Sequence, residues 1–128
     1  MKTKEDVEAL ERLIGQLQGL HTEIAQLARK APNDAVNAFK LKLINKVINA
    51  GNAVLGEGYR PFTDFEEFDV DDVPTNSDVT LILSQYIEQT ERYRSDNVRL
   101  NSGTWAYTVS GKASDIKAAP PSRIGSKK

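Results

Sequence analysis

Leucine and isoleucine recur at seven-residue spacing near the start of this chain, and no other feature constrains its fold as much. Leu10, Leu17 and Ile24 form one column, Leu13, Leu20 and Leu27 a second, and Ile14, His21 and Ala28 the flank. Three heptads of that stripe define one apolar side of an amphipathic helix, the pattern of a helical bundle or short coiled coil. Thr3-Lys4-Glu5-Asp6 has the form of a capping box, with acids in the first turn where the helix dipole favours them. Arg29 and Lys30 suit the other end of the dipole, and Pro32 stops the element. Gly15 and Gly19 sit off the stripe, which suits either exposed glycines or close approach of a second helix.

A second helix is expected from an N-cap at Asn33 or Asp34 to about Leu55, with Gly56 as its stop. Its apolar face is wide: Val36, Phe39, Leu43, Val47, Ala50 and Val54, flanked by Leu41, Ile44, Ile48 and Leu55. Contact on more than one side follows from that width. On the remaining stripe Lys42, Asn45, Asn49 and Asn52 recur at helical spacing. Asparagine is a poor helix former, so the row is either solvated or faces a ligand or another subunit. A third helix opens in Thr75-Asn76-Ser77-Asp78, with Val79, Ile82, Leu83, Tyr86, Ile87, Thr90 and Tyr93 as its inner face, and frays between Ser95 and Leu100.

After Asn101-Ser102-Gly103 the period drops to two: Trp105, Tyr107 and Val109 alternate with Thr104, Ala106 and Thr108, as in a half-buried strand. Ser110-Gly111-Lys112 turns it back into a weaker second strand. The chain therefore reads as mainly α. It is a three-helix bundle-like domain over 1–117 with helices at about 4–30, 34–55 and 77–97, a small C-terminal β-hairpin at about 104–117, and a flexible basic tail over 118–128.

Glu57–Pro74, between the second and third helices, is long for a connection without regular structure, and such segments are often functional. Tyr59, Phe62, Phe65 and Phe68 punctuate it, and phenylalanines three apart suggest a tight helical turn that lays aromatic anchors on the helices. Asp64, Glu66, Glu67, Asp69, Asp71 and Asp72 would then point outward. Charge is uneven to match. Residues 57–78 carry eight acids against Arg60, while 101–128 carry five bases against Asp115, although the whole chain is nearly neutral at −1.

That balance argues against a uniformly basic nucleic-acid binder. The absence of cysteine excludes disulfides, thiolate metal sites and thiol nucleophiles, and a single histidine excludes a multi-histidine metal site. His21 has no serine or carboxylate at a spacing that argues for a triad. Asp69-Val70-Asp71-Asp72 clusters oxygens but lacks the glycine and distal glutamate of an EF-hand loop. Ser110-Gly111-Lys112 ends like a phosphate loop, yet Ala106 stands where its first glycine belongs.

The function expected first is a small non-enzymatic binding protein without a cofactor, of the kind found among phage or mobile-element accessory proteins and inhibitors. It would occupy a protein partner with a basic surface through Phe62, Phe65, Glu66, Glu67, Phe68, Asp69, Asp71 and Asp72. The alternative is an oligomeric binder of an anionic nucleotide, with Trp105 and Tyr107 stacking on the base and Lys112 and Arg123 holding phosphate. A third class is a Mg²⁺-dependent helical hydrolase built on the pairs Glu8 with Glu11 and Glu88 with Glu91. A homo-oligomer is expected from the heptad stripe and the wide second helix. No apolar run reaches the length of a membrane span and the N-terminus has no apolar leader core, so a cytoplasmic protein is expected.

Overall fold

A computed structural model describes residues 1–122 of the chain. It is mainly helical, with α1 (Lys4–Lys30), α2 (Ala38–Tyr59) and α3 (Asn76–Ser95), followed by an antiparallel sheet of β1 (Val98–Asn101), β2 (Thr104–Val109) and β3 (Lys112–Lys117). Two helices begin with reciprocal capping boxes. The Thr3 hydroxyl accepts from Asp6 N, whose carboxylate accepts from Thr3 N, and Thr75 and Asp78 repeat the arrangement. Each box satisfies two amides that a helix start leaves without partners.

From α1 the heptad residues Leu10, Leu13, Leu17 and Ile24 are buried. Leu13, Leu17 and Ile24 pack with Leu41, Ile44, Ile48 and Leu55 of α2 and Val79, Leu83 and Tyr86 of α3. Full burial of such a side chain contributes about 1.5–3 kcal/mol. Gly51 of α2 is where the ring of Tyr86 comes close: a methyl group there would lie 3.3 Å from the ring edge. Among the described residues no helix is long and apolar enough to cross a membrane.

α2 starts later than its sequence suggests. After a turn over 32–34, Ala35 bridges Thr75, with Val36 N donating to Pro74 O, Asn76 N to Asp34 O and Ser77 N to Pro32 O. Those backbone groups are engaged before a helix can use them, and Asn37 becomes the N-cap. At the far end Gly56 leaves helical geometry (φ 65°), and one further turn carries the chain to Tyr59. The apolar sides of α2 also rank differently from the expectation. Leu41, Ile44, Ile48 and Leu55 form the core face, whereas Phe39 and Leu43 are exposed.

The sheet has three strands where a two-stranded hairpin was expected. Residues 98–101, read as the fraying end of the third helix, pair with 104–107. Ser102-Gly103 and Ser110-Gly111 all have positive φ, the geometry of tight two-residue hairpin turns. Tyr107 faces Val7 and Leu10 of α1 and is held there by donating its hydroxyl to Glu11 at 2.6 Å. Residues 118–122, expected as flexible tail, lie against α3: Arg94 donates to Ala119 O and Pro120 O, and Ser122 donates to Glu91.

Candidate functional site

The segment between α2 and α3 is held by the asparagine row. Asn45 donates to Phe68 O and accepts from Phe68 N, both at 2.9 Å, so its side-chain amide pairs with a main chain as a neighbouring strand would. Asn52 is buried, donates to Phe65 O and Glu66 O at 3.2 and 3.4 Å, and accepts from the Tyr86 hydroxyl at 2.6 Å. Burial pushes the Tyr86 phenol pKa up, and the neutral hydroxyl is the form that donates to Asn52. Asn49 reaches the Glu67 carboxylate at 2.9 Å. From the end of α2, Arg60 donates to Phe62 O and Phe65 O and pairs with Glu66 at 3.3 Å. Asn52 is buried and Asn45 half-buried, while Asn49 stays exposed at a cleft beside the loop. They face the chain's own loop.

The aromatic residues complete this attachment without the tight helical turn their spacing suggests. Phe62, Phe65 and Phe68 form a chain of edge-to-face contacts with centroids 6.4 and 5.2 Å apart, and Phe65 and Phe68 pack on the helical core. Phe62 stays at the surface. The one helical turn lies further on, a 3-10 turn at Val70–Asp72 whose N-cap Asp69 accepts from Asp71 N. Tyr59 closes the near end edge-on to Tyr93, with the Arg92 guanidinium 4.5 Å from its ring centre. Burial, reinforced by its hydrogen bond to Asp96, raises the Tyr59 phenol to about 12.

Asp64, Glu66, Glu67, Asp69, Asp71 and Asp72 are all exposed along this clamped backbone. Glu66, Glu67 and Asp69 have the partners just described, while the carboxylates of Asp64, Asp71 and Asp72 bond to no described residue. Between the loop and α2 lies an open cleft of about 680 Å³. Lys42, Lys46 and Asn49 line one wall and Glu67, Asp69 and Phe68 the other. Chemically the loop is a fixed row of acceptors and negative charges. Among the described residues no group of three or more histidine, aspartate or glutamate side chains is gathered to hold a metal.

The other candidates do not come together. Trp105 is half-buried near one end of β2, and Lys112 pairs with Val109 at the other, about 13 Å along the strand. Tyr107 is 1% exposed, so its ring meets α1 and has no free face for a base. Arg123 lies outside the described residues. In the carboxylate pairs, Glu11 accepts from Tyr107, and Glu91 accepts from Arg94, Ser95 and Ser122. His21 is half-buried on α1. The asparagine clamp itself was missed in sequence: the row stands out, but its partners are mostly main-chain atoms that carry no sequence signal. No protein-family model matches the chain, and comparison with curated proteins and with solved structures finds no match either.

Proposed function

We propose that this is a non-enzymatic binding protein that occupies a basic surface on a protein partner through residues 62–72. The observation that supports it is the clamp. Three asparagines and Arg60 hold the loop at its main chain or at Glu66 and Glu67. Asp64, Asp71 and Asp72 remain in solvent. A loop already fixed in one shape loses little conformational entropy when it docks. Fixed carboxylates steer and align a cationic partner in ways a flexible acidic chain does not. Exposed Phe62, at the end of the aromatic chain, adds an apolar contact beside the charges.

The test is charge reversal at the three carboxylates that serve no internal bond. Asp64→Lys, Asp71→Lys and Asp72→Lys combined should leave the far-UV circular dichroism unchanged. Proteins captured by the immobilised wild-type chain in a salt-sensitive manner should bind the triple variant at least about a hundredfold more weakly. Lys42→Glu with Lys46→Glu, on the opposite wall of the cleft, should keep the same partners. Equal capture by the triple variant would sink the proposal.

A further inference from the structure

The cleft between α2 and the loop is lined by two cations and two carboxylates that the fold does not pair across it. Lys42 and Lys46 stand one turn apart on α2, with Cβ atoms about 6 Å from each other, close enough to converge on one anionic group. Neither makes a hydrogen bond or ion pair with a described residue. On the other wall Glu67 accepts from Asn49 through one oxygen, and Asp69 accepts from Asp71 N through one oxygen. The second oxygen of each has no described partner. Asn45, between the two lysines in sequence, fixes the main chain of Phe68 by two bonds of 2.9 Å. Those bonds, and not the charges, set where the loop lies against α2.

We propose that this cleft binds a zwitterion of dipeptide size, with its carboxylate between Lys42 and Lys46 and its ammonium between Glu67 and Asp69. The pattern of signs selects the class. A purely anionic ligand would meet the lysines but also face Glu67 and Asp69, and a purely cationic one would face the lysines. A ligand with one group of each sign satisfies both walls, and like-charge opposition rejects the others.

Size and the remaining lining favour a peptide over a single amino acid. The cleft measures about 680 Å³, within the range of small-molecule sites, and an amino acid alone would leave most of it to water. Asn49 spends its amide nitrogen on Glu67, while its carbonyl oxygen has no described partner and is open to a peptide N–H. Phe68 and Val70 offer apolar surface to a peptide side chain. Lys46 also lines the groove towards α1, which leaves Lys42 as the cation that serves this cleft alone. Both walls are open to water, so each charged contact is weak and the affinity is modest.

The test is an amide NMR titration of the full, isotope-labelled chain with alanyl-phenylalanine. The signals of Lys42, Asn49 and Phe68 should move to saturation together, with a dissociation constant of about 1 mM that rises as salt is added. N-acetylation leaves this dipeptide only its carboxylate, and C-terminal amidation leaves only its ammonium. Each blocked form should bind at least about fivefold more weakly. Lys42→Gln with Lys46→Gln removes no bond within the fold and should keep the helical signal. This variant should bind the free dipeptide at least about fivefold more weakly, yet bind the amidated form more tightly than the wild type does. A variant that had merely lost its shape would gain affinity for neither. Shifts that never saturate would overturn the proposal, as would equal affinity for all three probes or indifference of the free dipeptide to the lysine substitutions. Asp64, Asp71 and Asp72 are untouched in this variant, so this result and the partner-capture result stand or fall separately.

Discussion

Asn45 and Asn52 are hard to replace, because each serves several atoms at once. Asn45→Ala removes both bonds to Phe68 and should lower the stability of the loop attachment by about 1–2 kcal/mol. Cleavage after Glu66 and Glu67 by a glutamate-specific protease should then accelerate about 5- to 30-fold while the far-UV signal holds. Asn52→Leu should cost more, about 2–3 kcal/mol in global unfolding by denaturant, because it leaves the Tyr86 hydroxyl buried without its acceptor. An unchanged protease rate for Asn45→Ala would mean that the aromatic packing alone fixes the loop. These residues also mark a limit of sequence reading. Three asparagines at helical spacing are visibly out of place, but a side-chain amide pairs equally well with water, a ligand or any backbone. Only the path of the loop decides among them.

Among the elements, those with local signals were legible and those defined by distant pairing were not. Thr3 with Asp6 and Thr75 with Asp78 announce the starts of α1 and α3 within four residues. The start of α2 shifts from Asn33 or Asp34 to Asn37, because the preceding residues pair with 74–77, some forty positions away. β1 was hidden for a similar reason. Its four residues, Val98-Arg99-Leu100-Asn101, do alternate apolar and polar, but so short a run directly after α3 also reads as the end of a helix, and only pairing across the Ser102-Gly103 turn with β2 decides it. The attachment of residues 118–122 to α3 is likewise long-range, and it carries a pH signature. Burial alone would raise the Glu91 carboxyl, but hydrogen bonds from Arg94 and Ser122 override it and bring it down from 4.5 to about 2. The folded value lies below the unfolded one, so the stabilisation is full above about pH 4.5 and fades as pH falls towards 2. The Ser122 amide resonance should follow that loss in an NMR titration. Glu91→Gln should abolish the titration at that amide and cost about 1–2 kcal/mol, since Arg94 keeps its bonds to Ala119 and Pro120. A titration unaltered in Glu91→Gln would assign it to another group.

At the level of the whole molecule, the helical core and the smaller cluster under the sheet share Val54 and Tyr93. The two should therefore unfold together. Trp105, the only tryptophan, reports on the sheet, and far-UV circular dichroism reports mainly on the helices. Their urea midpoints should coincide, and a separated midpoint would show that the sheet melts on its own. The central position of α2, with core, loop and open face around one helix, explains why its sequence was the hardest to rank: every side of it is in demand. That position also bears on how far the chain can change. At Phe65, Glu66 and Phe68 the clamp reads carbonyls and an amide, groups that any residue other than proline supplies equally. Phe65 and Phe68 pack on the core, and Glu66, Glu67 and Asp69 lend their carboxylates to the attachment, so the other letters of residues 62–72 can be rewritten while the path of the backbone persists. On the function proposed above, the helices serve as a socket whose unbonded loop positions, Asp64, Asp71 and Asp72 among them, can be varied to build a starting library for new specificities.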